Sequence, residues 1–374
     1  MRTLKAQGVS EAKRELAELR IKLEEEHERK VELVRASMTV GEYVDGYIRR
    51  LADTQAIERS THGVYRCVSA YIKNGLGGVR LSSLRPEQVQ AWEARLLADG
   101  LATSSVRKAH NLLKSALRNA VDTGVLPRNP MVTVRPPKLD TPLPNALGDR
   151  QRRLLLTYLD SAAETPLNLA VLLALSTGMR EGELCGLTWG DVNLTTRTLW
   201  VRKSIARDGG SYYVKRPKTR GSIRDIPLTE VLCRRLRARK AIQETELVVA
   251  GLAPTEERMA GIYVLGGVDG SFMGPMKLSK DWKTLSDSMG LVGTQGKRPT
   301  FHDLRHTFAT YTIAEGVDVK TVSSILGHSN AAMTLNIYAS ADADAKLAAA
   351  STIESVMDRR LSPEELRELV KREA

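Results

Sequence analysis

Aromatic side chains are scarce in this 374-residue chain, at 5% of the total, so recognition by successive ring stacking is not advertised. Cysteine is scarcer. Cys67, Cys185 and Cys233 lie far apart, no pair has zinc-ligand spacing, and an odd count argues against a disulfide framework. A reducing compartment fits. The longest apolar run, residues 167–179, is too short to span a bilayer and reads as a buried core helix. Leu4, Ala6 and Val9 do not make the apolar core of a signal peptide. Tandem repeats and low-complexity tracts are also missing.

What the chain does have is positive charge. The net charge is +12, which favours a polyanionic partner, most simply nucleic acid. With 42% hydrophobic and 27% charged residues it has the composition of a globular protein with room for two or three domains.

Helical spacing of apolar residues divides the chain. Residues 10–35 read as a charged helix whose acidic and basic side chains nearly cancel, a solvated or partner-packing element. Residues 38–138 predict four helices, with Thr39, Ser60, Ser83 and Thr103 at N-cap positions and Gly100 and Gly124 at the stops. Residues 38–140 carry 15 basic against 9 acidic side chains, which is half of the total excess. Six of the fourteen prolines fall in residues 127–144, predicting an extended linker there. Beyond it, helices are expected at 149–164 and 167–178, strands at 196–206, 211–219 and 222–228, and helices at about 229–248, 275–290, 302–315, 318–326, 331–340 and 361–374. Gly209-Gly210 and Arg220-Gly221 supply the strand turns.

The chemistry gathers in a few strings. In FHDLRHTFAT (301–310), His302 and Arg305 share a helix face. A guanidinium beside an imidazole makes a phosphate receptor with a proton carrier. LGHSN (326–330) and NIYAS (336–340) add His328 and Tyr338. A phenol attacks only where its proton is taken or its phenolate stabilised. STGMREGELCGLTWGDV (176–192) adds Arg180, bracketed by Gly178 and Gly182, which would let backbone pass close to a ligand. Lys218 sits at a hairpin tip, free to reach a leaving oxygen, and Lys215 and Lys203 are alternatives on the same hairpin.

In that order these motifs resemble the tyrosine recombinase (phage-type integrase) family over about residues 147–345. Residues 38–138 resemble that family's core-binding domain more loosely. The resemblance implies a mainly α fold with a small antiparallel sheet (α+β), built from a helical core-binding domain and a catalytic domain. Its segments would be a charged helix at 1–37, a core-binding domain at 38–138, a linker at 139–147, a catalytic domain at 148–345 and a tail at 346–374 that contacts a neighbouring subunit. The helix over 1–37 resembles the last helix of an arm-binding domain without its preceding strands.

The resemblance also implies roles. Arg180 and Arg305 would neutralise the scissile phosphate, and His328 would hydrogen-bond a non-bridging oxygen. His302 would assist proton transfer at Tyr338, and Lys218 would protonate the 5′ leaving oxygen. Tyr338 would form the 3′-phosphotyrosyl intermediate. Glu183 would orient site residues, and His306 would be structural. Arg107, Lys108, Lys114 and Arg118 are the expected DNA contacts.

The expected enzyme is a site-specific recombinase that integrates and excises a phage or conjugative element. It would act on double-stranded DNA as a homotetramer, without metal, cofactor, nucleotide or membrane. A host bending factor or an excisionase would be further partners, and the location cytoplasmic and nucleoid-associated. The alternatives are a chromosome-dimer-resolving recombinase, a type IB topoisomerase-like nicking-closing enzyme and a catalytically silent DNA-binding regulator.

Overall fold

A computed structural model describes residues 37–139, 143–216 and 223–327. They fall into two compact units that divide near residue 141.

The first unit is helical. It comprises α1 (Val40–Asp53), α2 (Arg59–Leu76), α3 (Pro86–Ala98) and α4 (Thr103–Asp122). Their apolar faces meet in a core that includes Val44, Ile72, Trp92, Leu113 and Leu117. Thr39 caps α1 as expected: its hydroxyl accepts the Glu42 N–H, and the Glu42 carboxylate takes the Thr39 N–H at 2.8 Å. The other three caps differ from expectation. Glu58, Arg85 and Ala102 hold those positions, while Ser83 lies in a short 3₁₀ turn, Leu81–Ser83. At α3 the start is set by Pro86 in the first turn, with Gln88 accepting the Arg85 N–H at 2.9 Å. Gly100 and Gly124 do follow the ends of α3 and α4.

The proline-rich stretch is less extended than expected. Pro130–Val132 forms a 3₁₀ turn capped by Asn129, and Met131 and Val134 are buried in the helical core. Burying these two side chains outweighs the extended preference of the prolines around them. A buried Glu93–His110 pair, 2.6 Å apart, ties α3 to α4.

The second unit begins with α5 (Asp149–Ser161), α6 (Pro166–Thr177) and the short α7 (Glu181–Gly186). Five short strands follow: β1 (Val192–Asn193), β2 (Thr198–Val201), β3 (Ser204–Asp208), β4 (Ser211–Lys215) and β5 (Arg224–Pro227). The remaining helices are α8 (Glu230–Val249), α9 (Glu256–Gly261), α10 (Pro275–Ser288), α11 (Phe301–Ala314) and α12 (Val319–Leu326). Strands β1, β2 and β5 make an antiparallel sheet in that order, while β3 and β4 form a separate two-stranded one.

The single strand expected at 196–206 therefore breaks into β2 and β3. Lys203, at the break, is drawn to Thr188 Oγ1 (2.8 Å) and Asp191 Oδ2 (2.9 Å), away from a strand path. The sheet register pairs Leu199 with Ile226 and Val201 with Arg224. Leu199, Val201 and Ile226 enter a core shared with Leu169, Leu173 and Trp282. No helix among the described residues is long and apolar enough to cross a membrane.

Candidate functional site

The site is built where the ends of α6 and α12 meet the first turns of α7 and α11. Helix α6 is mostly apolar and largely buried, and it stops at Gly178, whose φ is +63°. A side chain there would be strained, because left-handed backbone brings Cβ against the following carbonyl. It would also collide, since an added Cβ would lie 2.5 Å from Leu326 Cδ2 and 2.6 Å from Phe308 Cδ1. Glycine thus lets α6, α11 and α12 converge. Gly182 has a different reason from the one expected: an added Cβ would meet Ile205 O at 2.6 Å, so it serves packing against β3 rather than close approach to a ligand.

Two residues beyond Gly178, Arg180 caps α7. Its N–H donates to Glu183 Oε2 at 2.9 Å and its Nη1 to Glu183 Oε1 at 3.0 Å. The side chain remains 41% exposed, so its outer face is open to a ligand. Glu183 is buried, which opposes its ionisation. The hydrogen bonds and charges of Arg224 and Arg180 outweigh that cost and hold the carboxyl below its usual range.

Helix α11 brings His302, Arg305 and His306. Thr300 and Asp303 form a capping box, with the Asp303 carboxylate 2.7 Å from both the Thr300 N–H and its hydroxyl. Arg305 is buried and held by backbone: Nη1 donates to Gly178 O (2.6 Å) and Nη2 to Leu326 O (2.9 Å). Burial, then the neighbouring Arg180, pushes its pKa down to about 9, which still leaves it charged at neutral pH.

His302 stands one turn before His306, with ring centroids 4.9 Å apart and planes nearly perpendicular. Loss of hydration, then His306 and Arg305, lowers the His302 pKa to about 4. The side chain is exposed to solvent, and with this lowered pKa the imidazole is neutral at pH 7. A place in the first turn of a helix works the same way. His306 is half-buried and also shifted down by burial, and its Nδ1 has no hydrogen-bond partner among the described residues.

Helix α12 ends at Gly327, whose φ is +65°. Its last carbonyls collect guanidiniums. Arg305 and, at 3.5 Å, Arg180 reach Leu326 O, while Arg224 Nε donates to Ile325 O at 2.6 Å. Arg224 also grips Glu183 with Nη1 at 3.2 Å and Nη2 at 2.7 Å. The sequence reading missed Arg224. Its signal was an arginine in phase with Ile226 on the apolar face of an alternating strand, and both are buried.

Of the expected site residues, Arg180, His302 and Arg305 therefore meet around one point. Lys218, His328 and Tyr338 lie outside the described residues. Of the two alternative lysines, Lys203 is engaged by Asp191 and Thr188, and Lys215 ends β4. In the helical unit, Lys108 and Arg118 are exposed and Arg107 and Lys114 half-buried along α4. Arg107 also donates to Pro137 O at 3.2 Å.

Comparison with known proteins agrees with this geometry. Residues 146–344 match the Phage integrase family, and the chain belongs to that family, the tyrosine recombinases. A tyrosine recombinase XerC-like protein of Caldanaerobacter subterraneus subsp. tengcongensis is 30% identical over 285 residues, covering 72% of this chain and 70% of its own. The transposase from transposon Tn916 of Enterococcus faecalis is 27% identical over 315 residues, covering 81% of this chain and 75% of its own. Among solved structures, the Tn1549 transposon integrase in complex with a circular intermediate DNA superposes with a TM-score of 0.67 at 24% identity. That match covers 85% of this chain and all of the integrase chain. A lambda integrase from a tetramer bound to a Holliday junction superposes at 0.63 with 21% identity, covering 84% of this chain and 82% of its own. These two likenesses establish the fold.

Proposed function

We propose that this chain is a site-specific DNA recombinase of the mobile-element integrase type. The observation that carries the reading is the convergence of Arg180 and Arg305 on the carbonyl end of α12, with neutral His302 on the same helix as Arg305. Arg305 is oriented by two backbone carbonyls and Arg180 by Glu183, so both guanidiniums are fixed before an anion arrives. Preorganised donors of this kind stabilise charge that develops on phosphoryl oxygens.

In this reading Arg180 and Arg305 clamp the scissile phosphate of duplex DNA. Tyr338 attacks phosphorus, its proton passing with the help of His302, while Lys218 protonates the departing 5′ oxygen and His328 bonds a non-bridging oxygen. The 3′-phosphotyrosyl link keeps the bond energy, so a 5′ hydroxyl from a second duplex reverses the step. The helical unit also contacts the duplex, through α4. The enzyme works as a homotetramer, with the tail at 346–374 reaching a neighbour. The mobile-element assignment is favoured by the Tn916 transposase, which matches 81% of this chain against 72% for the XerC-like relative.

The test is a Tyr338→Phe variant. It should bind DNA and form no SDS-resistant 3′-linked complex, whereas the unaltered protein forms one. A persistent adduct in the variant overturns the assignment of Tyr338, and no adduct in either protein overturns the function.

A further inference from the structure

Arg224 is buried beside the site, its side chain 7% exposed, and all three of its guanidinium nitrogens are engaged by protein acceptors. Its guanidinium spans two structural elements. Nη1 and Nη2 take both oxygens of Glu183 on α7, and Nε takes Ile325 O at the end of α12. It also packs on Gly327, where an added Cβ would lie 3.0 Å from Nη1.

Among the described residues Glu183 is the one carboxylate bonded to Arg180. Unpartnered on its other side, a buried carboxylate would bind Arg180 as its sole counter-ion and cancel the charge a phosphate needs. We propose that Arg224 is a positioning residue for strand cleavage. It satisfies Glu183, so that Arg180 is oriented without being neutralised, and it pins the carbonyl end of α12, from which the chain continues through Gly327 to His328. Lysine cannot replace it fully, because one ammonium lacks the planar fork that serves a carboxylate and a carbonyl together.

This inference rests on the recombinase reading above, and the experiment separates the two. The probe is a duplex recovered from a random-sequence pool by its covalent attachment to the unaltered protein. Single-turnover adduct formation and equilibrium binding are measured on that duplex for Arg224→Gln, Arg224→Lys and the double variant Arg224→Gln/Glu183→Gln, well below each melting temperature. Arg224→Gln should bind within about 3-fold of the unaltered protein but form adduct about 10- to 100-fold more slowly, the scale of losing a group that orients site residues. Arg224→Lys should fall between the two. The double variant should cleave several-fold faster than Arg224→Gln, because the carboxylate that captures Arg180 is gone.

Cleavage by Arg224→Gln at the unaltered rate, or a double variant no faster than the single one, overturns the proposal. So does equal loss of binding and cleavage. Should Arg224→Gln fail to fold, Arg224→Lys carries the test with the same split between binding and cleavage. A pool that yields no adduct with the unaltered protein overturns the recombinase reading itself.

Discussion

Replacing Gly178 with alanine tests how the site is assembled, because the residue meets two separable costs. The first is backbone strain. At φ +63° a β-carbon costs roughly 1–2 kcal/mol. The second is collision with Leu326 and Phe308, at 2.5 and 2.6 Å. Both neighbours belong to a buried cluster with Val322 and Ile313, so neither can swing into solvent. Overpacking of this kind costs about 1–3 kcal/mol.

Gly290 provides the control within the same unit. Its φ is +61°, and an added Cβ there meets nothing within 4 Å. Gly290→Ala should therefore carry the backbone cost alone, and Gly178→Ala should be less stable than it by about 1–3 kcal/mol. Urea unfolding of the two variants, with matched m-values, measures the difference. Equal stabilities within about 0.5 kcal/mol would refute close packing as the reason for glycine at 178. Gly178→Ala should also slow cleavage relative to Gly290→Ala at a temperature where both are folded, since Gly178 O holds Arg305.

Three further outcomes follow from the geometry. Glu183 has a folded pKa below its unfolded value, so its contribution to stability is full above the unfolded value, about 4.3, and is lost as pH falls through the folded one. Unfolding of Glu183→Gln between pH 3 and 7 should show a stability gap to the unaltered protein that narrows below about pH 4.3, and a pH-independent gap contradicts the ionised carboxylate. Lys203→Met should lower the melting temperature, because buried Asp191 loses its ammonium, and leave cleavage intact, whereas Lys218→Ala should do the reverse; the opposite pattern would make Lys203 the general acid. Removing Lys108 or Arg118 should each lower the slope of log K against log salt by about 0.9, and an unchanged slope removes that residue from the DNA face.

Much of this site could be read from the chain because its parts sit in regular elements. Helix periodicity placed His302 and Arg305 on one face, and Gly178 stopped α6 where expected. Arg224 stayed hidden because its partners, Glu183 and Ile325, lie 41 and 101 residues away in sequence. The break between β2 and β3 was equally illegible: alternation continues through Lys203, and only the buried Asp191 turns the chain aside. Met131 and Val134 read as linker because local proline content says nothing about the core they enter. Hydroxyl caps misled for a related reason, since tertiary packing fixed the first turns of α2 and α4 without a side-chain cap bond.

The charge count at the centre of the site argues for a particular kind of catalysis. Among the described residues Arg180, Arg224 and Arg305 lie around one carboxylate, Glu183, a local excess of two positive charges. A phosphodiester carries one negative charge, and the five-coordinate species formed on attack carries two. The site therefore complements the second better than the first, which is the condition for lowering a barrier rather than merely binding. Without DNA the excess is costly, because burial and then the neighbouring Arg180 both disfavour the charged form of Arg305. An arriving phosphate relieves part of that cost, and the developing dianion relieves the rest. By linkage, anything that removes Glu183 without removing an arginine should tighten binding of ground-state DNA while losing the orientation of Arg180. Glu183→Gln should thus separate affinity from rate, with the first rising or holding as the second falls; a parallel loss of both would show that the carboxylate supports the fold alone.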